Sequence, residues 1–136
     1  IMSAASNYLE NKLLDHTLGN TSFTQPSTLY IGLFTNDSGN AASNLESGTL
    51  SDEISGGGYA RETIAFATAS GGSASTNATV TFTTANANWG TITHVAVMDA
   101  LGSGNVLFYG AVTTSKTIES GDTFQVSSGN LTISLA

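Results

Sequence analysis

Two histidines, His16 and His94, are the side chains best suited to proton transfer near neutral pH. His94 lies in the segment GTITHVAVMD, close to Asp99, and serine is abundant in the chain. A His94–Asp99–Ser triad is therefore the one nucleophilic constellation that the residue types permit. The Gly-x-Ser-x-Gly elbow that would expose such a serine does not occur. A serine-rich chain always offers a nucleophile, so the serines alone carry no weight. His16 falls late in a helical pattern, where a cation is favourable to the helix dipole and has a structural role. The expectation is a protein without catalytic activity.

Metal and phosphate chemistry have little material. The segment Asn36-Asp37-Ser38-Gly39-Asn40 places oxygen ligands around a glycine, but the repeated acids and closing glutamate of a calcium loop are missing. It reads as a turn. Gly56-Gly57-Gly58 is not followed by the helix and Lys-Ser/Thr pair of a phosphate loop. No cysteine is present, so disulfides and thiolate sites are excluded. No metal or cofactor is expected. Tyr59, after the three glycines, and Trp89, beside Gly90, stand at strand starts. Each suits either the cap of an open core end or an anchor for a partner. The candidate interface residues are Asp37, Asn40, Glu46, Tyr59, Arg61, Trp89 and His94.

The elements that must carry these residues are mostly strands. A single helix is predicted over residues 7–18, with Asn7 or Ser6 as its N-cap and Glu10 completing a capping box with Asn7. Leu9, Leu13, Leu14 and Leu18 are expected to form one broad apolar face, and Gly19 to end the helix. Residues 28–35 (TLYIGLFT) read as a strand buried on both faces. Residues 36–58 read as a long surface excursion of little apolar content. Period-2 alternation then recurs. It predicts Ile64 and Phe66, Val80 and Phe82, Phe124 and Val126, and Leu131, Ile133 and Leu135 as inward. Val95 and Val97 are expected on one face with Ile92, Ala96 and Met98 on the other, and Val106, Phe108 and Val112 as one inward set. Turn signals at Gly71-Gly72, Gly90, 102–105, Gly121-Asp122 and Gly129-Asn130 separate the runs. The predicted fold is mainly β: an antiparallel, jelly-roll-like β-sandwich with one N-terminal α-helix. Residues 1–19 form the helix or arm and 20–136 the sandwich domain.

The composition limits the partners. The chain has 136 residues, of which only 10% are charged, against about 25% in an average soluble protein. Ser, Thr, Asn and Gly must supply the polar surface, and neutral polar groups are cheaper to desolvate than charges when a neighbour packs on them. The net charge is -7, with Lys12, Arg61 and Lys116 the only basic residues. Three cations cannot track a phosphate backbone, so no nucleic-acid partner is expected, and no acidic membrane surface for the same reason. No apolar run reaches membrane-spanning length, and residues 1–14 lack the pattern of a signal peptide. A small oligomer, dimer or trimer, is expected, because an apolar strand such as 28–35 would otherwise leave an edge exposed.

Several stretches resemble a known family. NYLENKLLDHTLGNTSFTQPSTLYIGLFT, SGGGYARETIAF, WGTITHVAVMDA and GNVLFYGAVTTSKTIESGD occur in this order over nearly the whole chain. Together they resemble small structural proteins of tailed phages. Gly58-Tyr59-Ala60-Arg61 and Trp89-Gly90-Thr91-Ile92-Thr93-His94 are the most specific pieces. Such proteins are often labelled tail-fibre proteins, and the chain is also similar to jelly-roll cement proteins on the outside of icosahedral shells. The resemblance implies no enzyme activity. No sustained internal repeat or shaft is visible in the sequence, which suits a compact cement protein better than a fibre. The expected function is decoration of the mature capsid, with the major capsid protein as partner, on the outer surface of the virion. The alternative is a tail-fibre or receptor-binding tail component.

Overall fold

The computed structural model describes residues 4–135. In chain order the elements are β1 (Ala4–Ala5), α1 (Asn7–Thr17), β2 (Leu29–Phe34), α2 (Ala41–Ser47), β3 (Glu62–Ile64), β4 (Ser73–Ser75), β5 (Val80–Thr81), β6 (Gly90–Met98), β7 (Val106–Ile118), β8 (Gln125–Val126) and β9 (Thr132–Ser134). An antiparallel sheet of five strands runs β1-β7-β6-β2-β3. The facing layer is built from two short pairs, β4 with β9 and β5 with β8. The chain is thus mainly β with an N-terminal helix, as its patterning predicts.

The core has two parts because the large sheet is covered on both faces. On one face, Ile31 and Leu33 of β2, Val95 and Val97 of β6 and Ile118 of β7 meet Val80, Phe82, Phe124, Val126 and Leu131. On the other, Phe34, Ala96, Met98 and Val106 are covered by Leu45 of α2. This explains why residues 28–35 read as a continuous apolar run: β2 pairs with β3 and β6 and is buried above and below. The run is therefore an interior strand, and the exposed edge invoked for oligomerisation is not there.

Two bulges correct the predicted faces. Between the pairs Ile92↔Lys116 and His94↔Ala111 the strand register shifts, so residues 112–115 of β7 stand opposite Thr93 alone. The shift turns Ile92 to the same side as Val95 and Val97, away from Ala96 and Met98. A second shift, between Val97 and Met98, makes Leu107 the extra residue. It sends Val106 and Phe108 to opposite sides of the sheet. A strict alternation cannot anticipate an inserted residue. Leu135, expected inward, is 54% exposed at the end of the β4–β9 layer.

The N-cap of α1 is Ser6, whose hydroxyl accepts from Leu9 N and donates to Val106 O. Ser6 N also donates to Leu107 O, which pins the helix start to β7. The predicted single apolar face is two faces. At roughly 100° per residue, Leu18 lies about 180° around the axis from Leu9. Leu9 is buried, whereas Leu14 and Leu18 are exposed. Leu9→Ala is expected to destabilise the protein by about 2–5 kcal/mol. Leu14→Ala should stay within about 0.5 kcal/mol of the parent, and urea denaturation of the two variants separates the faces.

The predicted excursion 36–58 contains structure that its polar composition hides. α2 lies within it, with Ala41 N donating to Asn36 Oδ1 (2.9 Å) and Gly48 (φ 85°) closing the helix in the left-handed region. Ala41, Leu45, Asp52 and Ile54 are buried. The Asp52 carboxylate accepts from Ser38 N (3.1 Å) and Ser38 Oγ (2.5 Å), which draws the loop closed before the helix begins. Seven residues with two alanines and one leucine are too few to show a helical period.

Candidate interaction surface

The seven candidate residues fall in three places. Tyr59, Arg61 and Trp89 come together in one buried cluster. Arg61 is 5% exposed, and its Nε and Nη2 each donate to Glu53 at 2.7 Å. Its Nη1 donates to the carbonyls of Ala100 and Ser103, both at 2.7 Å, so one guanidinium ties the loop before β7 to the loop after α2. The Tyr59 hydroxyl donates to Glu53 Oε2 (2.8 Å) and accepts from Leu33 N (3.0 Å). Burial, reinforced by the Glu53 charge, pushes the Tyr59 hydroxyl well above its ordinary pKa. The bond to Glu53 raises that of Arg61, so both stay in one protonation state.

Trp89 closes the same cluster. Its ring meets Tyr59 edge-on at 5.5 Å, and its Nε1 donates to Gly57 O (2.8 Å). The second glycine of the triplet is there for this contact. A Cβ on Gly57 (φ 61°) would stand 2.8 Å from the indole. Arg61 and Trp89 are buried and Tyr59 is half-buried, so these three side chains hold the fold.

Asp37 and Asn40 lie exposed on the loop that leads into α2, and half-buried His94 lines a shallow groove beneath it with Asn36 and Ala41. His94 Nδ1 bonds Thr93 Oγ1 (2.8 Å). Asp99 is engaged elsewhere: it accepts from Asn105 N (2.7 Å) and Asn105 Nδ2 (2.9 Å) to shape the turn before β7. Glu46, on α2, accepts from the Tyr109 hydroxyl, whose pKa burial and this carboxylate push up to about 12.

Burial holds the His94 pKa below its ordinary value, against a smaller opposing pull from Asp52. A base depressed in the folded state binds its proton more readily when unfolded. Stability linked to His94 is therefore complete above about pH 6.5 and declines as pH falls through that value toward the folded pKa. A series of thermal melts across this window is expected to show a shallower pH dependence for His94→Gln than for the parent.

The surface also has features that the candidate list missed. At one end the two layers part, leaving an almost wholly apolar cavity of about 330 Å³. Leu29, Phe66, Ala74, Phe108, Ile133 and Leu135 are among its walls. Phe108, predicted to be core, is a half-buried wall residue. The exposed Leu14 and Leu18 of α1 form a second apolar feature. The leucines were legible as helix residues, but their outward direction required the angular arithmetic above.

The described residues include no cluster of three or more His, Cys, Asp or Glu placed to hold a metal ion. Among the described residues the surface includes polar loops, an apolar cavity and the exposed helix leucines Leu14 and Leu18. No curated protein matches the chain. The family model described as podophage GP4 fiber I protein gp80 matches residues 4–134. The chain belongs to that family, and is a phage structural protein.

Proposed function

We propose that this protein is a non-catalytic subunit on the exterior of the phage particle, working through protein–protein contact as a compact component of the fibre apparatus. Membership of a family described as a fiber protein, over almost the whole chain, carries this reading. The sparsely charged surface agrees with it, since 10% charged residues leave little charge to desolvate when a neighbour packs on. The second reading is a decoration protein bound to the outside of the mature shell, with the major capsid protein as partner. One observation favours it: the described residues form two helices and a sandwich, and the sequence shows no sustained repeat of the kind that builds a shaft. In that reading many weak contacts on one lattice add up by avidity and stabilise the assembled state by mass action.

Antibody-labelled particles viewed by electron microscopy test both readings. Copies confined to one vertex or to projecting fibres are expected. Copies spread over every face of the shell would overturn the fibre reading in favour of decoration. Absence from purified particles would overturn both.

A further inference from the structure

We infer that residues 4–17, which form β1 and α1, are an exchangeable arm that docks on β7 of a second copy of this chain in place of its own. The inference goes beyond the proposed function and does not depend on where in the particle the protein sits.

The arm is held by parts of the chain far from it in sequence. β1 is an outermost strand of the large sheet and pairs with β7, Ala4 opposite Tyr109 and Ala5 opposite Phe108. α1 packs chiefly on β7 and α2. Of the arm's residues, Ser6 and Leu9 alone are buried, so undocking exposes little apolar surface. The dock is nevertheless specific. Ser6 N donates to Leu107 O (2.9 Å), and the Ser6 hydroxyl donates to Val106 O while accepting from Leu9 N (3.2 Å).

The connection to β2, residues 18–28, has the character of a hinge. None of it is buried, and only Phe23 and Pro26 are half-buried. The hydrogen bonds it makes among the described residues return to the arm. Leu18 N donates to Leu14 O (2.9 Å), Asn20 N and Thr21 N to Asp15 O (2.9 and 3.2 Å), and Phe23 N to His16 Nδ1 (3.0 Å). Residues 18–23 therefore belong to the arm. Pro26, Ser27 and Thr28 instead line the sandwich surface beside Ile64 and Val80. The pivot falls between them, at exposed Thr24 and Gln25. Pro26, the only proline, keeps Gln25 extended and the pivot from folding back as helix. Drawn out, residues 18–28 span roughly 36 Å, enough to reach a copy packed alongside.

The occupant follows from the dock itself. Every copy presents the same Val106 and Leu107 carbonyls and carries the same Ser6 and Leu9, so a second copy's arm fits residue for residue and needs no new contact. The closed and exchanged forms differ at the pivot and in the freedom lost on association. In dilute solution the tether holds the arm at its own dock with an effective concentration of about a millimolar, and the closed form prevails. Copies held side by side at a comparable density lose that bias. Reciprocal exchange then gives a closed pair, and head-to-tail exchange gives a ring or a row.

The chain has no cysteine, so engineered cysteines report the exchange without background. Ala5 and Phe108 are opposed in the antiparallel pair, within reach of a disulfide. Whole chains carrying Ala5→Cys alone and Phe108→Cys alone are mixed at about 1 mM, incubated below the melting temperature and oxidised. Disulfides between the two variants are expected at least about tenfold more often than when Thr114→Cys, farther along β7, replaces Phe108→Cys. Oxidised in dilute solution, the double variant Ala5→Cys/Phe108→Cys closes within one chain and locks the arm. In sedimentation equilibrium at about 1 mM the locked protein is expected to be monomeric, whereas the parent forms dimers or larger species, and reduction releases the lock. Circular dichroism checks folding, and the opposed pair Ala4→Cys with Tyr109→Cys takes over if the first pair melts. Equal yields with Phe108→Cys and Thr114→Cys, a parent that stays monomeric at that concentration, or association that survives the lock would each overturn the inference.

Discussion

Glu53→Ala is expected to lower the free energy of unfolding by about 3–5 kcal/mol, because it leaves the Arg61 guanidinium buried without a counter-charge. The side chains of Arg61 and Glu53 are 3% and 15% exposed, so water cannot take over. Tyr59 loses its acceptor in the same step. A domain of this kind has about 5–15 kcal/mol in total, so the loss is a large share of it. Adding Arg61→Met removes the stranded charge and should restore part of the loss. The recovery stays incomplete because the carbonyls of Ala100 and Ser103, which Arg61 satisfies, then have no donor. Guanidinium denaturation of the parent, the single variant and the double variant measures all three. A single variant within 1 kcal/mol of the parent, given as an order of magnitude, would show the network to be dispensable.

Phe34→Ala is expected to cost about 3–5 kcal/mol as well, by a different route. Phe34, at the end of β2, is fully buried in the cluster that Leu45 of α2 forms with Met98 and Val106 on one face of the sheet. Its loss opens a cavity that the paired strand β2 cannot close by moving. It also removes the surface on which α2 sits, so helix content should fall together with stability. Phe108→Ala is the useful contrast. Phe108 is half-buried on the wall of an existing cavity, so truncation enlarges a space already open to water. Its cost should be clearly the smaller of the two in parallel urea melts. Equal losses would mean that the cavity is closed in solution.

The parts of this fold that could be read from the sequence are those governed by a single local period. β2 was legible because burial on both faces leaves an unbroken apolar run. Val80 with Phe82, and Phe124 with Val126, were legible because each short strand buries alternate residues. The faces of β6 and β7 were only partly legible, since the bulges at Thr93 and Leu107 insert residues where local chemistry gives no signal. α2 was hidden for a related reason. A short helix of Ala, Ser and Asn is held by tertiary contacts through Leu45 and by Asp52 closing the loop before it, not by its own periodicity.

Among the candidate contact residues the sequence drew attention to rare and conspicuous types, and rarity marked structural importance. Arg61 is one of three cations and Trp89 the only tryptophan, and both are spent inside the protein. Asp37 and Asn40 were placed on the surface correctly because turn chemistry is local. The apolar cavity beside Phe108 could not be read at all. Its walls come from β2, β4, β7, β9 and the loops near Phe66 and Leu135, and only the folded layers bring them together.

The irregular stretch of β7 opposite Thr93 has a consequence for solubility. After Tyr109 the outer margin of β7 has no partner strand among the described residues. A straight margin of this length would be a template for amyloid-like zippering between crowded copies. The extra residues at 112–115 break the even spacing of backbone donors and acceptors that a second strand would need, and Lys116 adds a charge that resists stacking. The sheet of one copy is therefore poorly suited to growing into the sheet of another when the protein is concentrated.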